Sequence, residues 1–430
     1  MNYQERLLKV IPGGAHTYSR GYDQFPINAP QILTRGKGAY VYDPEGNKYL
    51  DYGMALRAVN IGYAETTVDD AAIQQINNGT NLTRPSVIEL EAAELLVSLI
   101  DSVDMVKFTK NGSTAVSAAV KLSRAYTGRE LIARCAEHPF FSYDDWFIGS
   151  TPLTRGILPE TIEKTKVFRY NDIATLEQLI TQFPGQFACV VLEPATTEDP
   201  KIDFLQKVQE LCRANGIVFV LDEMITGFRW HIKGAQHVYG VTPDLCTFGK
   251  AMANGFAVAC IAGRREIMEL GSIEFEGRER VFLLSTTHGA EMPGLGAFVA
   301  TVNFMQQNNV VEHLWSYGRK LIETMRHLAL SHGIENSFKT FGVACLPHYL
   351  TLDATGVNSL AMRTLFSQEM IRNGVLMPWI GQSYRHGEEE LAFTERALDK
   401  TFAVYRKAME EGVDKYLHGP AVKPVFRKFN

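Results

Sequence analysis

Leu221-Asp222-Glu223-Met224-Ile225-Thr226-Gly227-Phe228 closes an apolar, β-branched run over 216–221, and further along stands Lys250, within Pro243-Asp244-Leu245-Cys246-Thr247-Phe248-Gly249-Lys250-Ala251-Met252-Ala253-Asn254-Gly255. A lysine held in an apolar stretch loses its proton more readily than one in water and can then form a Schiff base. An acid at a strand end can hold a pyridinium nitrogen protonated. Together Asp222 and Lys250 read as a site for pyridoxal 5′-phosphate (PLP). Singly neither says so: a lysine after a turn is most often a surface residue, and an aspartate at a strand end often caps the next helix.

Outward from that pair, apolar runs at 105–108, 187–192 and 216–221 lie between helical patterns at 88–100, 114–126 (closed by Gly128), 204–213 (closed by Gly216) and 292–305. Continuous apolar strands alternating with helices predict an α/β fold whose large domain, about 64–312, has a mostly parallel sheet covered by helices on both faces. From about 311 the pattern changes to long amphipathic helices at 311–332, 358–373 and 394–412, with a short strand near 345–351. This predicts a smaller α+β domain over 313–430. Residues 31–52 alternate around Asp43-Pro44-Glu45-Gly46-Asn47, a turn signal between two strands. The expected hairpin belongs to an N-terminal segment, 1–63, that packs with the C-terminal domain, so the small domain draws on both termini. No internal repeat appears, and 419–430 reads as a loosely ordered tail or an interface arm.

The 430 residues are 46% hydrophobic and 21% charged with a formal net charge of −5, ordinary material for a large buried core. Lysine and arginine are scattered, so no electrostatic footprint for nucleic acid or an anionic membrane appears, and a small-molecule ligand is expected. Six cysteines, none in a CxxC pair, read as buried thiols of a reducing compartment. The N-terminus lacks a charged head followed by an apolar core, and no apolar run approaches the roughly 18 residues of a membrane helix. The expectation is a soluble, cytoplasmic protein without metal.

Phe108-Thr109-Lys110-Asn111-Gly112-Ser113-Thr114-Ala115-Val116 runs from a strand end through a small-residue turn into a helix. Such a turn offers backbone N–H groups and a helix dipole to a phosphate. The same residues also make an ordinary helix cap; Lys250 and Asp222 are what favour phosphate.

Residues 111–129, 221–229 and 243–250 together resemble the class III aminotransferases, a subgroup of the fold type I PLP enzymes. Within these the likeness is to glutamate-1-semialdehyde 2,1-aminomutase and to aminomutase-like transaminases of polysaccharide and modified-sugar biosynthesis. It starts at Ile11-Pro12-Gly13-Gly14 and Arg35-Gly36-Lys37-Gly38-Ala39-Tyr40 and continues through Thr286-Thr287-His288-Gly289 to Thr394. The resemblance implies that Lys250 carries the cofactor and then moves a proton between the substrate carbon and cofactor C4′, and that Asp222 pairs with the pyridine nitrogen. It puts Gly112 and Ser113 at the phosphate and has Thr286 reach the phosphate of a neighbouring subunit, hence a homodimer with shared active sites. Where such enzymes carry Tyr-His-Gly this chain has 137–147; anchoring on Asp145-Trp146-Phe147 puts Phe140 at the ring-stacking position, without the tyrosine hydroxyl. Glu193 and Glu198 follow the strand at 187–192 beside the cofactor face, Glu198 in place of an asparagine near the ring oxygen. Arg20 aligns with an arginine that binds the substrate carboxylate, and Arg57 stands in a neighbouring pocket segment that is usually uncharged; a guanidinium grips a carboxylate bidentately.

The gating acid of the aminomutase has its place, counted from Thr394, at Arg385 or His386, and Ala-His-Thr has become Ala392-Phe393-Thr394. This argues against aminomutase chemistry. Arg385 instead suits the distal carboxylate of glutamate, swinging aside for a bulkier acceptor. The expected function is a ping-pong aminotransferase with L-glutamate as donor and an aldehyde or ketone acceptor, an oxidised sugar or sugar acid, for which His16, Tyr18 and Tyr384 are further contacts. The other readings are an intramolecular 2,1-aminomutase and a non-catalytic dimeric scaffold or PLP-binding relic; the intact Lys250, Asp222 and phosphate turn speak against the relic.

Overall fold

A computed structural model describes residues 2–195, 197–289 and 291–430. Two compact units divide the chain, one of Thr66–Val311 with the last three residues, the other joining the segment up to Glu65 with Glu312–Arg427. Along the chain come strands β1 (Arg35–Lys37), β2 (Tyr40–Tyr42), β3 (Lys48–Asp51), β4 (Met105–Thr109), β5 (Leu131–Cys135), β6 (Thr165–Phe168), β7 (Phe187–Leu192), β8 (Val218–Asp222), β9 (Leu245–Phe248), β10 (Ala259–Gly263), β11 (Phe338–Val343), β12 (Leu346–Thr351) and β13 (Val375–Leu376).

In the larger unit seven strands form one sheet in the order β4-β10-β9-β8-β7-β5-β6. The pairs from β6 through β9 are parallel, while β10 runs antiparallel to both β9 and β4. Every residue of β5, β7, β8, β9 and β10 is buried, as strands covered on both faces must be. Because β10 is flanked by two antiparallel neighbours, β4 points the same way as β9. The carboxyl ends of β4, β5, β6, β7, β8 and β9 therefore share one edge, where open α/β sheets bind ligands. Helix Gly112–Thr127 leaves β4 at that edge: Asn111 caps it by accepting from Thr114 N at 2.9 Å, and Gly128, at φ 68°, ends it. Helix Met292–Gln307 lies on helix Thr66–Asn77, close enough that a Cβ on Gly296 would meet Ala71 O at 2.9 Å.

In the terminal unit β2 and β3 form the expected hairpin, its turn closed by Asp43 accepting from both N and Nδ2 of Asn47 at 2.8 Å. The hairpin joins a sheet β1-β2-β3-β13, in which β13 pairs parallel with β3. Helices Leu360–Arg372 and Glu388–Glu411, with the β11–β12 hairpin, enclose a core of Leu321, Phe338, Tyr349, Phe366, Phe402 and Tyr405. The last of these helices begins six residues before the 394 expected from sequence. Glu388-Glu389-Glu390 reads as a polar loop but forms an acidic first turn, and Glu390 accepts from Gly387 N at 2.9 Å. Residues 419–430 carry no helix or strand. Among the described residues no helix is long and apolar enough to cross a membrane, and no cluster of His, Cys, Asp or Glu is fit to hold a metal. All six cysteines are buried and unbridged.

Candidate active site

Two adjacent parallel strands bring the central pair together. Asp222 ends β8 opposite Thr247 of β9, and Lys250 follows β9 by two residues. Asp222 is buried, and its Oδ1 accepts from Met224 N at 3.0 Å and from Thr247 Oγ1 at 3.1 Å. Burial pushes its carboxyl above the ordinary range; the positive charge of Lys250 pulls the other way and keeps an anion attainable there. Lys250 sits at φ 45°, a left-handed conformation costing a non-glycine residue about 1–2 kcal/mol, of the kind that persists where function over-determines the backbone.

The phosphate turn stands at the same sheet edge. The N–H groups of Gly112 and Ser113 make no hydrogen bond among the described residues, since the Asn111 cap serves Thr114 instead. Ser113 Oγ accepts from Tyr143 N at 3.2 Å, which leaves its hydroxyl hydrogen for an anion. A Cβ on Gly112 would come 2.8 Å from Met224 Sδ, and one on Gly249 would come 2.6 Å from the same sulfur. Met224 thus touches the phosphate turn and the approach to Lys250 while its N–H holds Asp222. Two N–H donors at a helix start, a buried carboxylate and an adjacent lysine fit the phosphate, ring nitrogen and aldehyde of PLP.

Comparison with known proteins agrees. Residues 17–345 match the family model for aminotransferase class-III. The chain belongs to the class III aminotransferases. It is 31% identical over 421 residues to 3-aminobutyryl-CoA aminotransferase of Cloacimonas acidaminovorans, covering 95% of this chain and 98% of the relative. To glutamate-1-semialdehyde 2,1-aminomutase of Francisella philomiragia it is 27% identical, covering 95% and 97%. Among solved structures, the FumI protein of Sphingopyxis sp. MTA144, in its PLP internal aldimine form, superposes with a TM-score of 0.87 at 25% identity, covering 95% of this chain and 97% of that one. An omega-transaminase from Sphaerobacter thermophilus gives 0.84 at 25%, covering 94% and 97%. This class III aminotransferase is accordingly a PLP-dependent enzyme of fold type I.

The loop after β5 reaches the same sheet edge. Phe140 and Phe141 part company there: Phe141 is core, edge-on to Phe147, whereas Phe140 is 47% exposed and also edge-on to Phe147 at 5.7 Å. Ser142 ties the loop to the phosphate turn, its Oγ bonded to Ser117 Oγ at 2.9 Å and Ser113 O at 3.3 Å. Glu193, after β7, is buried, and its N–H donates to His138 Nδ1 at 3.0 Å. His138 is a residue the sequence reading passed over, as it did Met224. Burial, helped by the charge of Arg134, lowers the imidazole pKa to about 3, so His138 is neutral with its hydrogen on Nε2. Its signal was a histidine at a strand exit; Met224 had none, because it acts through size.

Glu198 is exposed and accepts from Asn171 Nδ2 at 3.3 Å. Thr286 is exposed, in a turn where its carbonyl accepts from Gly289 N at 3.3 Å. The three arginines expected to meet the substrate belong to the terminal unit. Arg20 ends the short turn Tyr18–Arg20 and is exposed. Arg385 is paired with Glu65, Nη2 to Oε2 at 2.6 Å. Arg57 closes a turn, Met54–Arg57, whose four non-glycine residues have φ of 39°, 49°, 63° and 65°, a left-handed helical turn. Asp51 holds that turn: Oδ1 accepts from Gly53 N at 2.7 Å, and Oδ2 accepts from Met54 N at 3.2 Å and Tyr63 OH at 2.6 Å. Arg57 Nε in turn donates to Ile380 O at 3.4 Å.

Proposed function

We infer that this enzyme runs a ping-pong transamination, taking the amino group of L-glutamate and delivering it to an aldehyde or ketone that carries a carboxylate, such as an oxidised sugar or sugar acid. The single observation that carries the reaction type is Lys250 and the buried Asp222 on neighbouring parallel strand ends, beside a phosphate turn whose first N–H groups are uncommitted. Bound PLP supplies an aldehyde to receive the amino group and a ring to accept the electron pair of the broken C–H bond. Asp222 holds the proton on the ring nitrogen by charge. Lys250 Nζ, neutral, would take the proton from the donor's α-carbon and deliver it to cofactor C4′, and in the second half-reaction would carry a proton the opposite way, from C4′ to the acceptor's former carbonyl carbon. Gly112, Ser113 and the helix dipole bind the phosphate, Phe140 offers a stacking face, and Glu193 and Glu198 border the loop after β7. A second copy of the chain contributes Thr286 to that phosphate, making the working unit a homodimer; the buried thiols fit a cytoplasmic setting.

Arg20, Arg57 and Arg385 support an anionic substrate, and the Arg385–Glu65 pair would let that arginine be released from one carboxylate to another. An intramolecular 2,1-aminomutase is the second reading, favoured by the near full-length likeness to one. Against it, residues 381–387 contain no carboxylate to serve as the gating acid. The test is the visible absorption of the PLP-loaded enzyme before and after L-glutamate, with 2-oxoglutarate assayed and Lys250→Ala as control. Loss of the lysine-bound cofactor band with stoichiometric 2-oxoglutarate is expected; a band indifferent to glutamate removes it as donor, and intramolecular conversion of an amino aldehyde without any second substrate would establish the mutase.

A further inference from the structure

We propose that Thr247 is the positioning residue for Asp222, holding one carboxylate oxygen so that the other is presented to the cofactor ring nitrogen. The inference rests on the PLP reading of the site and adds to it a residue outside the cofactor's own contacts. A carboxylate at a strand end is free to rotate about Cβ–Cγ, and a buried one with a single donor presents either oxygen. Here two donors converge on Oδ1: the N–H of Met224 at 3.0 Å and the hydroxyl of Thr247 at 3.1 Å. Oδ2 is then the oxygen turned toward a ligand.

The pairing of the strands makes this a register effect. Asp222 stands directly opposite Thr247, and Glu223 N donates to Thr247 O at 2.9 Å, so the two strand ends cannot slide without losing that bond. Glu223 anchors the far side: its buried carboxylate accepts from Ala235 N at 2.8 Å and Gln236 N at 2.9 Å, and is thereby spent on the fold. Thr247 is wholly buried, so no water competes for its hydroxyl, and its branched Cβ restricts χ1. It is the one hydroxyl in a strand otherwise made of Leu245, Cys246 and Phe248. A valine has nearly the same shape but no hydroxyl, so a buried hydroxyl here is explained by the acceptor it finds.

The test compares wild type, Thr247→Val, Thr247→Ser and Asp222→Asn, each titrated with PLP carrying a 15N label in the ring. Cofactor affinity and the 15N shift are read as functions of pH. Thr247→Val should bind PLP about tenfold more weakly, as the loss of one hydrogen bond to a charged group implies. Its ring nitrogen should lose its proton at lower pH than in wild type, while Thr247→Ser stays within about twofold of wild type in affinity. Wild-type affinity and an unmoved 15N titration in Thr247→Val, with Asp222→Asn clearly altered, would overturn the role of Thr247 and leave the PLP site standing. No lysine-bound cofactor in wild type would instead overturn the PLP reading and this proposal with it. If valine lowers the yield of folded protein, Thr247→Ala against Thr247→Ser makes the same comparison, and equal titrations there overturn the proposal too.

Discussion

At the scale of single residues the site is set by what two glycines leave room for. Gly112 and Gly249 both face the sulfur of Met224, at distances no Cβ tolerates without a shift. Gly112→Ala should therefore weaken PLP binding about tenfold, with a loss of stability of about 1–3 kcal/mol. Met224→Val, which shortens the opposing side chain, should recover part of both losses in the double variant. Cofactor titration and thermal melts of the four proteins would show this as a coupling; strict additivity would count against the contact. Asp222→Asn replaces a charge with a neutral amide opposite the ring nitrogen. Turnover in the half-reaction with the amino donor should fall about 10²–10³-fold, the range for losing a preorganised electrostatic partner. Lys250, Asp222 and the Asn111-Gly112-Ser113 turn were legible in sequence because each carries its chemistry in its own side chain or in its immediate neighbours. Met224 and Thr247 were not, since a thioether in the turn after β8 and a hydroxyl inside the apolar strand β9 acquire a role only from what lies across from them.

Among elements, the turn Met54–Arg57 departs furthest from what its composition suggests. Met-Ala-Leu-Arg is a run of good right-handed helix formers, yet all four residues have positive φ. A left-handed turn costs about 1–2 kcal/mol per residue. Ala55→Gly, at φ 49°, should relieve that strain and raise stability by up to about 1 kcal/mol, whereas Ala118→Gly in helix Gly112–Thr127 should lower it by a similar amount. Opposite shifts in melting temperature are the expected result. The carboxyl that holds the turn also titrates unusually: burial raises the pKa of Asp51 to about 6, against the hydrogen bonds from Tyr63, Gly53 and Met54. A folded-state value above the unfolded one of about 3.9 means the native protein binds more protons between those limits, so this group's contribution falls as pH rises from about 4 to about 6. Asp51→Asn removes that dependence. Its stability relative to wild type should improve by on the order of 2–3 kcal/mol across that window and then level off; a constant difference at pH 4 and pH 7 would contradict the assignment.

For the whole molecule, the convergence of six strand ends on one edge should make PLP a structural ligand of the larger unit as well as a reagent. At a concentration about 100 times its dissociation constant, PLP should stabilise the folded protein by about 2.7 kcal/mol, and Lys250→Ala should show less at the same concentration. Scanning calorimetry with and without PLP would reveal it. If PLP left the melting profile of wild type unchanged, the edge would not be the cofactor site.

Sequence by itself determined the alternation of apolar strands with helices, the strand-end acid and the lysine that reads with it, the phosphate turn, and the family resemblance that joins them. These are built from local patterns, in which periodicity, capping and side-chain chemistry act directly. Tertiary structure alone decided that β10 enters antiparallel between β9 and β4, so that the phosphate turn and Lys250 come to the same edge. It decided the Asp222–Thr247 register, the left-handed turn before Arg57, and the pairing of Arg385 with Glu65. Strands β5, β6 and β10 went unread because Arg134, Lys166 and small residues such as Ala259 and Gly263 break the apolar signal, and β9 because its four residues are too short a run. Their burial comes from neighbours remote in sequence: Arg134 is satisfied by Ser150 and Cys135 O, and β10 lies between two strands. Pairing across such separations depends on complementary surfaces and hydrogen-bond partners that no short stretch of the chain contains.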